Sequence, residues 1–431
     1  MIKIYKDEQL SEKGILNRSA ELPDVREAVA EIINNVRRGG DRALFEYTER
    51  FDKVKLSSLE VTAEQIDAAY GRTEPEFRRI LSRAADNIRE FHSGQKRTGY
   101  RIEKENGIVI GQRVLPVDRA GVYVPGGTAA YPSTVLMDVI PAKIAGVGQI
   151  IMVTPPGKDG CVPDAILAAA KSAGVDRVFS VGGAQAIAAL AYGTESVPKT
   201  DKIVGPGNAF VAEAKRQVYG AVSVDMIAGP SEVLVISDGK TDPRVLAADL
   251  LAQAEHDRSA SAVLITTSEK LADEVAACIE EQIPRLSRAE IARASIESNG
   301  KIIITDSLQR AAQISNELAP EHLELCVDDP FTLLELIRHA GSVFLGRNCP
   351  EPLGDYMAGP NHTLPTGGTA RFSSPLSVDD FCKTMQYSYF TAQALSEYKD
   401  DVDYFAKKEG LTAHAKSAVI RDEINEQVHK R

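Results

Sequence analysis

The sequence is poor in several features, and each shortage narrows what the protein can be. Its 431 residues hold five cysteines, Cys161, Cys278, Cys326, Cys349 and Cys382. The number is odd and no pair is spaced C-x-x-C, which argues against a disulfide framework or a thiolate zinc site. Reduced, mostly buried thiols are expected. Long apolar runs are also missing. The longest uncharged stretches, 120–137 and 178–194, are broken by glycine, proline or polar residues and read as strand, loop and helix, not as a membrane span. Basic residues are not in excess: 50 lysines and arginines face 61 acids, for a net charge of −11 and a pI near 5.3. That balance gives solubility and predicts no nucleic-acid partner and no anionic membrane partner. The N-terminus has Asp7 and Glu8 where a signal peptide would have its apolar core, so a cytoplasmic location is expected. No G-x-G-x-x-G follows any apolar run, and there is no P-loop.

What is present is ordinary globular composition, 43% apolar and 26% charged, in a chain long enough for two or three domains. Residues 24–38 place Val25, Val29, Ile32, Ile33 and Val36 at helical spacing, and Gly39-Gly40 stops that helix. Asp41 is expected to cap a second helix through Tyr47, and 64–91 continues the helical pattern. Strands are expected to begin near 100–110. From Gly121 the rhythm becomes strand and helix alternating about every 25 residues, the pattern of a parallel sheet with covering helices. Apolar runs at 122–124, 150–153, 177–181 and 202–204 belong to a first series. Those at 233–236, 262–266, 302–305, 322–327 and 342–345 belong to a second. Two α/β lobes with a ligand crevice between them are expected. Residues 347–375 form a long loop rich in glycine, proline and asparagine. The last 50 residues are polar and helical and must dock on something else.

Several groups of residues carry chemistry. Pro125-Gly126-Gly127 and Gly205-Pro206-Gly207-Asn208 each join a strand to a helix. Such loops suit a phosphate at a helix N-terminus, and equally serve as tight packing turns. Gln253 and His256 share a helix face, so an amide oxygen and an imidazole could meet one metal; Asp257 nearby is a ligand or merely solvated. Glu321-His322 at a helix-to-strand junction is either a proton-transfer pair or a surface pair. Gly354-Asp355-Tyr356 and Asn361-His362 lie in the long loop, and Glu409 to His414 in the tail. His92, His339 and His429 have no companion pattern and are expected to be structural or solvated. Cys349 has no activating neighbour in sequence.

Taken together, these segments resemble the histidinol dehydrogenase family. The resemblance runs from Gly40-Asp41-Arg42-Ala43-Leu44 to Leu411-Thr412-Ala413-His414. Its most specific stretch is 202–230, with 252–256, 319–325 and 354–366 equally telling. The resemblance implies two Rossmann-like lobes with parallel-rich sheets that lack the usual glycine fingerprint, a helical N-terminal arm and a C-terminal dimerising tail. The expected boundaries are 1–22 for the arm, 23–121 plus 233–375 for the lobe with zinc and catalytic residues, 122–232 for the NAD-binding lobe, and 376–431 for the tail. It implies NAD contacts at Tyr123, Gln185 and Asn208, and one zinc per subunit on Gln253, His256, Asp355 and His414. Substrate contacts are implied at Ser231, His322, His362 and Glu409 as well as at the metal ligands, with Glu321 and His322 as acid–base residues. The implied reaction is oxidation of L-histidinol to L-histidine by an intertwined homodimer, the last step of histidine biosynthesis. A zinc hydrolase with the same ligands, and another amino-alcohol or aldehyde dehydrogenase, are the competing readings.

Overall fold

The computed structural model describes residues 1–11, 16, 24–126 and 130–429. Gly127 of the first glycine loop, and residues 12–15 and 17–22 of the expected arm, lie outside the described residues. The chain forms two compact units, residues 1–96 with 117–381, and residues 97–116 with 382–431.

The larger unit holds two six-stranded sheets. Its strands are β1 (Lys3–Lys6), β2 (Glu60–Val61), β5 (Arg119–Tyr123), β6 (Gln149–Thr154), β7 (Arg177–Ser180), β8 (Lys202–Val204), β9 (Ser223–Val224), β10 (Glu232–Ser237), β11 (Ser261–Thr266), β12 (Lys301–Ile304), β13 (His322–Cys326) and β14 (Ser342–Leu345). The smaller unit holds β3 (Tyr100–Glu103), β4 (Val109–Pro116) and β15 (Cys382–Tyr389). One sheet has the order β2-β7-β6-β5-β8-β9, parallel except for β2; the other has β1-β12-β11-β10-β13-β14, parallel throughout. The two central orders, β7-β6-β5-β8-β9 and β12-β11-β10-β13-β14, are the same order repeated.

Both sheets are buried on both faces, which is why their strands read as apolar runs and not as alternating patterns. Along β6, Ile150 and Met152 join a core with the helices Pro75–Ser93, Pro132–Ala145 and Asp164–Ala173. Ile151 and Val153 point the other way, into a core with Arg26–Gly39, Asp41–Phe51, Gly183–Tyr192 and Ala209–Val218. The β10 sheet repeats this arrangement. Val233 and Val235 face the helix Pro243–Ala254, and Leu234 and Ile236 face the helix Leu308–Leu318. Each fully buried Val, Ile, Leu or Phe contributes about 1.5–3 kcal/mol relative to exposure.

Several expectations are corrected. The expected grouping of 23–121 with 233–375 does not hold: the helices between Arg26 and Ser93 and strand β5 pack in the sheet of β5–β9, because Val29, Leu44, Leu81 and Ile88 share cores with Val122, Ile151 and Phe179. The first residues are not helical: β1 pairs in parallel with β12, followed by a short 3-10 turn, Asp7–Ser11. Asp41 does not cap its helix, because Gly40 occupies the cap. The Asp41 carboxylate instead accepts from Thr194 Oγ1 (2.6 Å) and Ser196 N (3.2 Å). The pattern over 64–91 is two helices, Ala63–Arg72 and Pro75–Ser93, separated at Thr73-Glu74 before Pro75.

The smaller unit is a three-stranded antiparallel sheet, β15-β4-β3, with two long helices, Ala392–Lys408 and Thr412–His429, packed on each other. The C-terminal segment is therefore not wholly helical. Strand β15 pairs with β4 over all eight residues, yet it is exposed on both faces and so carries no apolar stripe to betray it.

Candidate active site

Strands β10 and β13 run side by side in parallel, with Val233 opposite His322. Ser231 and Glu321, just ahead of the strands, and Glu232, the first residue of β10, therefore share one rim at the amino ends of the strands. The helix Leu308–Leu318 ends at Ala319, held in the left-handed region at φ 47°, and the chain turns there into Pro320 and Glu321. A β-carbon in that region is strained, and such strain clusters at functional sites.

Glu321 and His322 both attach to the backbone of Glu232. Glu321 Oε2 accepts from Glu232 N (2.9 Å), and His322 Nδ1 donates to Glu232 O (3.0 Å). A carbonyl can only accept, so Nδ1 carries the proton and Nε2 is the basic nitrogen of the neutral ring. Nε2 is buried without a hydrogen-bond partner and lies 3.8 Å from Asp355 Oδ1. The imidazole stacks on Phe344, with ring centroids 6.0 Å apart. Gly354 allows that packing, since a β-carbon there would stand 2.2 Å from Phe344 Cε1.

The helical turn Glu351–Leu353 continues as a wider π turn, Gly354–Ala358, and carries Asp355. Wide turns of this kind frequently mark functional sites. Asp355 Oδ1 also lies 3.9 Å from His362 Nδ1. Gln253, fully buried at the end of the helix Pro243–Ala254, sets its amide between the Glu351 carboxylate (2.7 and 3.2 Å) and Glu232 N (2.8 Å); a carboxylate only accepts and an N–H only donates, which assigns Nε2 to Glu351 and Oε1 to Glu232 N. His256 follows on the open side of the rim. Asp257 is solvated and closes a turn by accepting from Ser259 N (2.8 Å). Ser231 accepts from Ser261 N through its backbone oxygen.

The electrostatics follow from burying several carboxyls together. Burial pushes Glu321 up to about 8 and Glu351 up to about 7. Burial alone would depress His322, but the carboxylates of Glu351, Glu321 and Asp355 outweigh it and raise the imidazole well above its usual value. Burial would raise Asp355, and the nearby imidazoles of His322, His362 and His256 bring it below the usual carboxylate range instead. Burial lowers both His256 and His362, leaving neutral imidazoles of the kind that bind metals. The donor set of amide oxygen, imidazole and carboxylate suits zinc, and the crowd of acids leaves negative charge for a cation to offset.

A second concavity of about 880 Å³ lies over the carboxyl ends of β5–β8. In an open parallel sheet, ligands bind where the strand order reverses, here between β5 and β8. Tyr123 ends β5, and its hydroxyl accepts from Gly183 N (3.2 Å); burial pushes the phenol up to about 12. Gln185 lines the crevice with a buried Oε1 that has no partner. Asn208 caps the helix Ala209–Val218 by accepting from Phe210 N (3.0 Å) and Val211 N (3.2 Å), which leaves its amide nitrogen for a ligand. Gly205 has φ 114°, and a β-carbon there would stand 2.1 Å from Tyr123 O, so this loop must pass close to the strand end.

The histidinol dehydrogenase family model matches residues 16–422. The chain belongs to the histidinol dehydrogenase family. It is 57% identical to histidinol dehydrogenase of Clostridium acetobutylicum over 92% of both chains, and 54% identical to that of Geobacillus kaustophilus over 93% of this chain and 95% of that one. The crystal structure of histidinol dehydrogenase from Elizabethkingia anophelis superposes with a TM-score of 0.93 at 37% identity, covering 98% of this chain and 99% of the other.

Of the residues singled out from the family resemblance, Ser231, Gln253, His256, Glu321, His322, Asp355 and His362 gather at the rim of β10 and β13. Tyr123, Gln185 and Asn208 gather at the crevice. Glu409 and His414 belong to the smaller unit, where both are exposed. Sequence reasoning missed Glu351 and Glu232. Glu351 could have been found four residues before Asp355, on the same helical turn. Glu232 has no such signal, since it contributes mainly backbone.

All five thiols are free, but only Cys326 is buried, which corrects the expectation that most would be. Burial drives the Cys326 thiol far up, so it is no nucleophile at neutral pH. Replacing all five cysteines with serine or alanine is expected to leave turnover largely intact, with a loss of stability from the Cys326 site. A folded single-cysteine variant without activity would establish a covalent thiol mechanism instead.

Proposed function

We propose that the chain oxidises L-histidinol to L-histidine with two molecules of NAD, through histidinaldehyde and its hydrate. The observation that carries this reading is the state of His322: Nδ1 is committed to a carbonyl, with the Glu321 carboxyl 3.8 Å from it, and Nε2 is unpartnered.

In the first oxidation His322 Nε2 takes the hydroxyl proton as the carbinol carbon loses a hydride. Water then adds across the aldehyde: Glu321 removes a proton from the water while the His322 imidazolium returns its proton to the carbonyl oxygen, which restores Nε2 as a base; a carboxyl near 8 is a strong base once ionised. His322 accepts the proton of the resulting hydrate as the second hydride leaves, giving the carboxylic acid. NAD, when bound, supplies the hydride acceptor for each oxidation. Tyr123, Gln185 and Asn208 would hold it in the crevice at the carboxyl ends of β5 and β8. A zinc ion, when bound, supplies an anchor for the imidazole and amine of the substrate. Gln253, His256 and Asp355 would hold it, together with His414 of the partner subunit. Ser231, His362 and Glu409 would complete the substrate site.

The repeated order β7-β6-β5-β8-β9 and β12-β11-β10-β13-β14 supports reading the sheets as two Rossmann-like lobes, one for the nucleotide and one for the metal and acid–base residues. The missing glycine fingerprint is no objection, because Gly126, Gly183 and Asn208 line the crevice. Exposed Tyr404, Phe405 and Val428, at 66%, 68% and 65%, support a smaller unit that docks on a second subunit of a homodimer. No helix among the described residues is long and apolar enough to cross a membrane.

The test is the yield of NADH from limiting L-histidinol with zinc-loaded protein. Two NADH per histidinol are expected. A yield of one would mean that the aldehyde is the product, and none would remove the proposal.

A further inference from the structure

Glu351 is 2% exposed and stands outside the substrate, cofactor and metal contacts described above. Two features fix where its carboxylate sits. Its backbone N donates to Glu324 Oε1 (2.8 Å), and Glu324 is itself buried and hydrogen-bonded to Asp249. Its side chain then meets the Gln253 amide at 2.7 and 3.2 Å.

A primary amide has two ends of nearly equal shape and opposite chemistry. Only the oxygen end can bind a cation; the NH₂ end has no lone pair to offer. A carboxylate has only acceptors, so it accepts from Nε2 and repels Oε1. With Nε2 committed to Glu351, Oε1 is turned to the Glu232 N–H, the same group that Glu321 Oε2 meets at 2.9 Å. The oxygen end of Gln253 is thus delivered to the rim where Glu321 and His322 stand. Partners behind a metal ligand commonly set its orientation in this way.

We propose that Glu351 is a positioning residue that selects the amide orientation of Gln253, presenting Oε1 to the metal. This rests on the reading of Gln253 as a zinc ligand, and the test separates the two. Glu351→Gln removes the charge but keeps a carbonyl acceptor for Nε2. Glu351→Leu removes both. The loss of charge weakens zinc binding equally in the two variants, so the difference between them reports orientation alone. Zinc affinity is measured on the metal-stripped full chain by competition with a chromogenic chelator. Glu351→Leu is expected to bind zinc about 10- to 100-fold more weakly than Glu351→Gln, the usual effect of losing such a partner. In a Gln253→Ala background that difference should vanish, because there is no amide left to orient; a merely structural role would leave it in place. Glu351→Met substitutes for the leucine variant should that one fail to fold. Equal zinc affinity in Glu351→Leu and Glu351→Gln, with Gln253→Ala still weakening binding, overturns the positioning role alone. Unchanged zinc affinity in Gln253→Ala overturns the ligand reading and the positioning role with it.

Discussion

Replacing His322 with asparagine is expected to lower turnover from L-histidinol and from L-histidinaldehyde alike, each by about 10²- to 10⁴-fold, the usual range for a general acid–base residue. The asparagine NH₂ can still donate to the Glu232 carbonyl, as Nδ1 does now at 3.0 Å, so the local fold is preserved. What disappears is Nε2, the one nitrogen of the ring free to take a proton. Both oxidations remove a hydride from a carbon bearing a hydroxyl, and in each the same imidazole must accept the hydroxyl proton. Steady-state rates with each substrate, at saturating NAD, check the claim. A variant slowed on only one of the two would mean that the steps use different bases.

The second large effect concerns the origin of the fourth zinc ligand. His256→Ala and His414→Ala are each expected to be inactive alone, because each removes a proposed zinc ligand from every site. Mixed after reversible dissociation, they should recover activity. If Gln253, His256 and Asp355 come from one chain and His414 from the other, a heterodimer has one site with both defects and one with none. Random exchange makes about half of the dimers mixed, so roughly a quarter of the wild-type activity should return, given two-fold symmetry. Were His414 to serve its own chain, every site would keep one defect, and nothing would return despite demonstrated exchange.

Much of this arrangement was legible in the sequence, for identifiable reasons. Strands buried on both faces announce themselves as short apolar runs; 202–204 and 342–345 coincide with β8 and β14. Strands without such runs escaped. β15 is exposed on both faces, and β1 is an edge strand of four residues with mixed polarity. The grouping of 23–121 went astray because helical periodicity locates an apolar face without saying which sheet it covers. Val29 and Leu44 could have packed on either sheet, and only the pairing of β5 with β6 and β8 decides it. At the site, Glu321-His322 was visible as a pair. Its meaning depends on the register of β13 against β10, which brings the Glu232 backbone between the two side chains. The contact between Gln253 and Glu351 joins residues 98 positions apart, and no local pattern predicts it.

The division of labour between Glu321 and His322 is the centre of this account, and one measurement addresses it directly: NADH formed in a single turnover of Glu321→Gln supplied with L-histidinol. The glutamine keeps an oxygen to accept from Glu232 N, so His322 and the first oxidation should be largely spared. The hydration step loses its base, so the second oxidation should lag far behind. The predicted trace is one equivalent of NADH formed quickly and the second much more slowly, with the same slow rate when histidinaldehyde is supplied in place of histidinol. Equal slowing of the two equivalents, or two equivalents at the wild-type rate, would contradict it.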